Sequence, residues 1–336
     1  MAIHGGASLL AAVCLLLDLA LQGAGATQPL VPAMFVFGDS LVDVGNNNFI
    51  KKCYVGCKAN YPHFGVDYPD HTPTGRFSNG YNMADHLGTP ECMQVLSMAE
   101  QVGNFTNLAR LWASSNNRTA HLLSKSLFFI SAGSNDLFVY TDIGPQNNDT
   151  ELLQGLVSSY AAYLRDLYGA GARKFSVVST SLLGCCPSQR AIANDPNDPK
   201  GTDKYGCFAA LNNLSSQLLP MFAAMLQDLS RELHGMKYSF VDMIKMAEWI
   251  IESPCTPSYN FTVLDTACCG GGKFGADGCT VSVSLCPNRS NHLFWDDYHP
   301  TDAATQIVAK MIFGDHSGHF VHPINVHQLV GGENTC

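Results

Sequence analysis

The sequence is short of charge and has no cluster of positive charge. Asp, Glu, Lys and Arg together make up 14% of its 336 residues, whereas about a quarter of the residues in an average soluble protein are charged. The formal net charge is −9, and no basic patch stands out along the chain. Because nucleic-acid binding depends on clustered Lys and Arg, we expect no nucleic-acid partner.

Three other features are missing, and each absence argues against a class of protein. No apolar run of about 20 residues follows the N-terminal segment, so we expect no stable membrane span. The Gly-x-Ser-x-Gly elbow of α/β-hydrolases is absent from the whole chain. The cysteines that cluster near the C-terminal end lack the paired C-x2-C spacing of a zinc ribbon, so we favour disulfides over a metal site. They are Cys268, Cys269, Cys279 and Cys286.

The N-terminus differs in composition from the rest of the chain. An apolar run over residues 9–17 precedes the tripeptide 24–26, which has the small-x-small pattern of a signal-peptidase site. We therefore expect residues 1–26 to be a signal peptide and residues 27–336 to form a single domain. The segment lacks Lys and Arg and contains Asp18, so a membrane anchor or an ordinary buried helix is the alternative.

Cysteines and glycosylation motifs both agree with a secreted, extracellular or cell-wall protein. The chain has 13 cysteines, and 12 remain if Cys14 leaves with the signal peptide, an even number that indicates disulfides in an oxidising compartment. Connectivity cannot be read from sequence, and the pairings that we favour are Cys53–Cys57, Cys185–Cys207 and Cys279–Cys286. Six Asn-x-Ser/Thr sequons, each of which would have to lie on the surface, begin at Asn104, Asn117, Asn148, Asn213, Asn260 and Asn288.

Short apolar runs alternate with longer amphipathic segments in the rest of the chain. This alternation predicts a parallel sheet with helices on both faces, in one domain without internal repeats. Thr301 is a suitable N-cap for the last helix. The predicted strands are residues 33–37, 127–132, 174–179 and 237–241, and the predicted helices are residues 151–168, 207–233 and 302–313.

Polar residues follow the predicted strands at the sheet edge where ligands bind in such folds. Ser40 comes just after the first strand, where we expect it to open a helix with its hydroxyl exposed near backbone N–H groups. Asp296 and His299, three residues apart, can present a base and the carboxylate that orients it from one short segment. Asn135 follows the second strand and can aim its side-chain amide at the same place, as an oxyanion donor does.

Each of these patterns has an ordinary structural interpretation when taken alone. Gly-Asp-Ser is usually just a turn, as is Gly-x-Asn-Asp, and a histidine before proline is usually a surface loop residue. Their order along the chain favours catalysis: serine after the first strand, asparagine after a later strand, and Asp-x-x-His before the last helix. A serine hydroxyl is a poor nucleophile until a base takes its proton, and this order supplies the base.

Six blocks of sequence carry a resemblance to a known family. With them, the chain resembles the plant-type GDSL esterase/lipases of the SGNH hydrolase superfamily over about residues 33–330. The blocks run from Phe37 to Asn48, Gly75 to Gly80, Gly133 to Asp136, Leu183 to Pro187, Ala267 to Gly270 and Phe294 to Thr301.

The resemblance implies a fold and a role for each candidate residue. The fold would be α/β, a flavodoxin-like three-layer α/β/α sandwich with a mostly parallel sheet. Ser40 would be the nucleophile and an oxyanion donor through its backbone N–H, and Asn135 would be the side-chain oxyanion donor. His299 would be the base and Asp296 its orienting carboxylate. Asp39 and Asp136, which also match the motifs, are interpreted as structural hydrogen-bonding residues, and the mechanism implies no cofactor.

The chain departs from the family pattern at one block. The family carries a glycine-rich stretch between the Arg-Phe-Ser-Asn-Gly segment and the asparagine block, and its glycine gives a backbone N–H to the oxyanion. Here Leu87 and Gly88 lead through Thr89-Pro90 into a predicted helical segment, residues 91–105. We therefore expect one strand of the sheet and its glycine loop to be missing. A splice variant, a mis-predicted gene model and a diverged member are alternative explanations.

Two classes of function follow from this combination. The first is a secreted serine esterase/lipase that hydrolyses carboxylic esters through an acyl-serine intermediate, with a small-molecule or polymer-borne ester as substrate. Within this class, the resemblance also allows an acyltransferase or a deacetylase acting on cell-wall esters. The second is a catalytically impaired glycoprotein of the same fold, since removing one oxyanion donor typically costs about 10²–10³ in rate. The natural acyl and alcohol groups and the oligomeric state cannot be read from the sequence.

Overall fold

The structure describes most of the chain that follows the N-terminal segment. The expected signal peptide lies outside the described ranges, as do Cys53 of one favoured disulfide and the sequon at Asn117. In this computed structural model, the described residues are 29–50, 57–87, 97–115, 118–142, 148–197, 200–256 and 259–331.

Five strands form the central sheet. Four parallel strands lie side by side in chain order, and a fifth, antiparallel strand pairs with the fourth. The first four match the predicted runs to within a residue, which confirms those predictions; the short antiparallel strand was not predicted. The strands of this sheet are β1 (Met34–Gly38), β2 (Leu127–Ser131), β3 (Lys174–Val178), β4 (Lys237–Val241) and β9 (Val321–Pro323).

Both faces of the sheet are buried, because successive strand side chains point to opposite sides. On β1, Phe35 and Phe37 pack into one hydrophobic core, while Met34 and Val36 pack against the other. β2 divides its side chains in the same way and is buried along its whole length. Strands buried on both faces need continuous apolar sequence, which is why these runs stood out in the sequence.

Helices cover each face of the sheet, so the predicted three-layer α/β/α architecture is confirmed. α2, α3, α4, α5 and α7 contribute to the first core, and α1, α8, α9 and α10 to the second. Their bounds are α1 (Met83–Leu87), α2 (Met98–Ser115), α3 (Thr119–Lys125), α4 (Ser134–Asp142), α5 (Asp149–Ala170), α6 (Pro187–Ala193), α7 (Ala209–Glu232), α8 (Met243–Glu252), α9 (Asp302–Gly314) and α10 (Val326–Val330).

The three predicted helices are present as α5, α7 and α9, with ends set by local chemistry. Thr301 is the N-cap of α9, as predicted, and its hydroxyl accepts a hydrogen bond from Ala304 N (3.1 Å). Asn148 caps α5 in the same way, accepting from Glu151 N (2.8 Å). Such caps satisfy N–H groups that the first helical turn leaves unpaired.

β1 lies at an edge of the sheet in the part of the chain that the structure describes. Its hydrogen-bonded neighbour there is β2, and α2 packs on it through Phe105, whose ring lies 4.9 Å from that of Phe35. In the described residues α1 is followed by α2, and residues 88–96 between them lie outside the described ranges. The expected loss of one strand of the sheet stays a prediction, because residues 88–96 lie outside the described ranges.

Three disulfides have both partners among the described residues, and one favoured pairing was wrong. Cys185–Cys207 is confirmed. Cys279–Cys286 does not form, because two adjacent cysteines, Cys268 and Cys269, each take one of them as partner, giving Cys268–Cys286 and Cys269–Cys279. Cys57 is disulfide-bonded, whereas Cys186 and Cys255 are free thiols, so the even cysteine count does not mean complete pairing.

Two small ribbons flank the main sheet. β5 (Cys255–Thr256) and β6 (Tyr259–Asn260) form one, and β7 (Val263–Ala267) and β8 (His292–Phe294) form the other. No helix in the described part of the chain is long and apolar enough to cross a bilayer.

Candidate active site

Ser40 lies in a tight turn just after β1, and not at the start of a helix as predicted. Val42 N donates to Asp39 O (3.1 Å) across the turn, and Leu41 N donates to the Asp39 carboxylate (3.1 Å). This side-chain acceptor offers the backbone an alternative to helical hydrogen bonding. The next helical residues are the short 3-10 helix Asn46–Phe49.

Gly38 lets this turn run close against the neighbouring strand. A Cβ atom at Gly38 would lie 2.1 Å from Ser131 O and 2.8 Å from the Val42 side chain. On the following residue, Asp39 N donates to Ser131 O (3.2 Å). The backbone that leads to Ser40 is therefore fixed directly against the end of β2, and a larger residue at position 38 would displace it.

Asp296 and His299 lie in a second turn, between β8 and α9. Asp296 accepts hydrogen bonds from Tyr298 N (2.9 Å) and His299 N (2.7 Å), which fix its carboxylate inside the turn. Both of its oxygens lie 2.9 Å from His299 Nδ1. The two residues are only 4% and 9% exposed, so the carboxylate and the imidazole face each other largely out of water.

The structure brings the serine and the histidine together. His299 Nε2 lies 2.7 Å from Ser40 Oγ, across 259 residues of sequence. The imidazole thus contacts the hydroxyl through one nitrogen and the carboxylate of Asp296 through the other. This is the arrangement in which a histidine can take a proton from a serine hydroxyl and be held in the correct tautomer while it does so.

Asn135 lies at the same edge of the sheet, in the first turn of α4. It follows the end of β2 by four residues, and β2 is the strand directly beside β1. Its side chain is exposed and makes no hydrogen bond with any described residue. The side-chain amide is therefore available to a ligand at this edge.

The charges around His299 oppose the effect of burial on its pKa. Burial alone would lower the pKa of His299, but the nearby carboxylates of Asp296, Asp297 and Asp39 raise the pKa above its ordinary value of 6.5. Burial and the charge of Asp296 raise the pKa of Asp297 to about 6. Burial likewise raises the pKa of Asp39 to about 6, although the Leu41 N–H and His299 oppose the shift.

Two residues near the site were not assigned a role from sequence. The ring of Phe77 lies 4.7 Å from the imidazole of His299 at an interplanar angle of 30°, so it limits rotation of the base. Phe77 belongs to one of the quoted blocks, which was the available signal. Gln101, on α2, accepts a hydrogen bond from the Gly38 N–H and donates one to the Gly38 C=O, and no motif pointed to it.

The loop that follows Ser40 is held by the Gly75–Gly80 block. Arg76 makes two hydrogen bonds with Asp85 (2.6 and 2.7 Å) and a third with Val44 O (3.1 Å). Its side chain and that of Asp85 are 6% and 2% exposed. Since a buried charge without its partner is strongly destabilising, this pair ties the loop to α1.

A cluster of buried side chains and disulfides supports the turn that carries Asp296 and His299, residues 295–299, here called the acid–base turn. The fully buried Trp295 packs with Phe64 and with Cys268 and Cys269. The backbone continues the β7–β8 pairing beyond the strands, since Cys269 N donates to Trp295 O (2.7 Å). The residue before Asp296 is thus fixed by packing, by backbone pairing and by two disulfides.

One group of described residues has the composition of a metal site. Cys185, Asp203 and Cys207 place their ligand atoms within 4.8 Å of one another. The two cysteines are joined in a disulfide, and a disulfide sulfur is not the thiolate that binds metals. The residues present therefore do not fit a metal ion.

Comparison with known proteins gives a consistent result. The family model for GDSL-like lipase/acylhydrolases matches residues 34–312. Two GDSL esterase/lipases of Arabidopsis thaliana are each 33% identical to the chain over 89% of its length, and the matches cover 90% and 86% of those relatives. GDSL esterase/lipase 7 of the same plant is 30% identical over 94% of this chain and 98% of its own.

The comparison also agrees with a missing segment. The alignment with the first of these relatives spans 351 positions, more than the 336 residues of this chain, so that relative contains residues that this chain lacks. The match nevertheless extends over the blocks that contain Ser40, Asn135 and the Asp296–His299 turn. The chain belongs to the family of GDSL lipase/acylhydrolases, which are hydrolases acting on esters.

Proposed function

We propose that this protein is a secreted serine esterase that hydrolyses carboxylic esters through an acyl-Ser40 intermediate. The observation that carries the proposal is the line of contacts from Ser40 Oγ to His299 Nε2 (2.7 Å) and from His299 Nδ1 to Asp296 (2.9 Å). These are the distances at which a base activates a hydroxyl and a carboxylate orients the base.

The proposed reaction has two halves. In the first, His299 Nε2 takes the Ser40 hydroxyl proton while Oγ attacks the ester carbonyl carbon, and the tetrahedral intermediate then collapses as His299 gives the proton to the departing alcohol. In the second, His299 takes a proton from water, the resulting hydroxide attacks the acyl carbon, and the carboxylic acid leaves as Ser40 regains its proton. Asp296 keeps the imidazole in one tautomer and stabilises its charged form throughout.

The oxyanion is assigned two donors, Ser40 N–H and the Asn135 side-chain amide. The backbone N–H suits this role because Gly38 and Asp39 fix the preceding peptides against the sheet. Asn135 suits it because its side chain is exposed at the same edge of the sheet and has no hydrogen bond among the described residues. Relative to a three-donor site, losing one donor typically costs about 10²–10³ in rate, so slow turnover of activated esters is expected.

Secretion and glycosylation are part of the proposal. We propose a cleaved signal peptide over residues 1–26 and one domain over residues 27–336, with an extracellular or cell-wall location. Support comes from the sequons, since every sequon asparagine among the described residues is exposed, as attachment of a glycan requires. These are Asn104, Asn148, Asn213, Asn260 and Asn288.

A catalytically impaired glycoprotein of the same fold is the second candidate. The absence of the family's glycine-rich stretch from the sequence favours it, because the resemblance implies that this stretch supplies one oxyanion donor. Such a protein would keep the Ser40–His299 contact but would not turn over esters.

Hydrolysis of a short-chain p-nitrophenyl ester by the secreted protein, beside Ser40→Ala, tests the proposal. We expect the substitution to lower kcat by about 10⁴-fold or to the uncatalysed background, because the acyl intermediate cannot form. A fluorophosphonate probe should label wild-type protein and not the variant. Equal rates in the two proteins, with no labelling of a sample shown to be folded by circular dichroism, would overturn the esterase and favour the impaired glycoprotein.

A further inference from the structure

On its outer side, away from β2, β1 ends at Gly38, two residues before Ser40. On the inner side, Leu127 N donates to Ala33 O (3.0 Å) and Asp39 N donates to Ser131 O (3.2 Å). In a strand, the N–H and C=O of alternate residues point to the same side, so the odd-numbered residues face β2. The N–H and C=O of Gly38 therefore face the outer edge of β1, where the described residues place no further strand of the sheet.

A single side chain satisfies both of these backbone groups. Gly38 N donates to Gln101 Oε1 (3.1 Å), and Gln101 Nε2 donates to Gly38 O (2.8 Å). A primary amide carries an acceptor oxygen and N–H donors on the same planar group, so one side chain can supply the two bonds that a neighbouring strand would supply from two peptide groups. Gln101 thus provides locally the pair of hydrogen bonds that an adjacent strand would provide.

The helix that carries Gln101 is itself held by the core. Val102, Phe105 and Ala109 of α2 are all buried in the first core. The Phe105 ring lies 4.9 Å from Phe35 and 5.6 Å from Phe37, both on β1. The amide is therefore presented to Gly38 from a packed element and not from a free loop.

We propose that Gln101 is a positioning residue for the nucleophile, acting in place of the absent glycine block; this inference rests on the proposed esterase function. Gln101 holds Gly38 from the outer side while β2 holds Asp39 from the inner side, and Ser40 follows directly. Together the two contacts fix both the Ser40 hydroxyl toward His299 and the Ser40 N–H toward the oxyanion.

The test compares kcat and KM of Gln101→Leu with those of wild type and of Val102→Ala. Leucine is close to glutamine in size but makes neither hydrogen bond. We expect kcat per active site, counted by fluorophosphonate titration, to fall about 10- to 100-fold, because small misplacements of reacting groups cost this much. KM should stay near the wild-type value. Val102→Ala, on the same helix but facing the core, should lower the melting temperature while kcat stays within about twofold of wild type.

Two further measurements keep the inference separable from folding and from the proposed function. Gln101→Glu retains the acceptor for Gly38 N–H but loses the donor at neutral pH, so its kcat should fall between those of wild type and Gln101→Leu. A Gln101→Leu protein with wild-type kcat would overturn the inference, as would a Val102→Ala protein with an equal kcat loss. If Gln101→Leu does not fold, a wild-type kcat in Gln101→Glu overturns it. Wild-type activity no higher than that of Ser40→Ala would instead overturn the esterase itself.

Discussion

The two turns that meet in the candidate active site are supported very differently. The acid–base turn, residues 295–299, follows a ribbon stabilised by two disulfides and a fully buried tryptophan. Within it, the Asp296 carboxylate accepts two backbone N–H groups of its own turn. Removing any one of these supports leaves the others in place.

The nucleophile turn, residues 38–42, has fewer supports on its outer side. β2 fixes it on one side through Asp39 N and Ser131 O. On the other side, among the described residues, the Gln101 side-chain amide holds the turn through two hydrogen bonds to the backbone of Gly38. The proposed loss of the glycine block would therefore act on the nucleophile half of the site, since the acid–base turn draws its support from the other end of the chain.

Because of this difference, we expect substitutions in the two halves of the site to affect stability and activity differently. Substitutions that weaken the supports of the acid–base turn should lower stability before they lower kcat, because the supports are redundant. Substitutions at the outer side of the nucleophile turn should lower kcat with little change in stability, because few contacts are lost but the reacting atoms move.

The largest effect is expected from Asp296→Asn. The asparagine Oδ1 can still accept the Tyr298 and His299 N–H groups, so the turn should fold. Its amide, however, would favour the wrong tautomer of His299, which in serine hydrolases costs about 10⁴-fold in kcat. The measurement is p-nitrophenyl ester hydrolysis, normalised to folded protein by circular dichroism.

Asp297→Asn is the matched control for this change. Asp297 is the next residue and raises the pKa of His299, but the carboxylate in hydrogen-bond contact with the imidazole is that of Asp296. We expect a loss of less than about tenfold in kcat on the plateau above the acid limb of the pH profile, where His299 is neutral. A loss as large as that of Asp296→Asn would contradict the assignment of the orienting role to Asp296 alone.

A moderate effect, on stability, is expected from removing the Cys268–Cys286 disulfide with Cys268→Ala/Cys286→Ala. The bridge closes a loop of 18 residues, and its loss should lower the free energy of unfolding by about 3 kcal/mol. Because Trp295 packing and the Cys269–Cys279 bridge remain, kcat at low temperature should stay within about threefold of wild type. Urea titration and ester hydrolysis at 15 °C measure the two quantities.

Cys255→Ser serves as the control, since it removes an exposed free thiol and no disulfide. Its effect on the free energy of unfolding should lie within about 0.5 kcal/mol. A fall of 100-fold or more in kcat for the double variant would contradict the redundancy of support, because the acid–base turn would then depend on this one bridge.

The sequence predicted those parts of the fold that depend on local pattern. Strands buried on both faces, such as the run ending at Gly38, need uninterrupted apolar residues. The helix after Thr301 could be predicted because threonine is a favoured N-cap residue. The Ser40–His299 contact followed from their positions after one strand and before the last helix. The signals for the strand and for the capped helix are local, whereas the expectation for Ser40 and His299, which lie 259 residues apart, rested on the order of the motifs and on the family resemblance.

Features that depend on distant contacts could not be predicted in the same way. Gln101 lies 63 residues from Gly38, and a lone glutamine on a helix carries no pattern that names its partner. The pairing of Cys279 was wrong for a related reason, because which of two adjacent cysteines faces it depends on the β7–β8 register. The turn at Ser40 was predicted as a helix start, since nothing in the sequence says that Asp39 will accept the Leu41 N–H and end the helical path.

The smallest effect is expected from Asp39→Asn, which changes charge beside the nucleophile and keeps the turn. The Asp39 carboxylate raises the pKa of His299, so its removal should lower that pKa. Since His299 must be neutral to accept the Ser40 proton, the acid limb of the kcat/KM profile should move to lower pH, while the rate at pH 8 stays within about threefold of wild type. Asp228→Asn, an exposed carboxylate on α7, should leave the limb in place. A limb that stays fixed or moves to higher pH in Asp39→Asn would show that the Asp39 charge does not act on the base, so that its contribution to the nucleophile turn is the hydrogen bond to Leu41 alone.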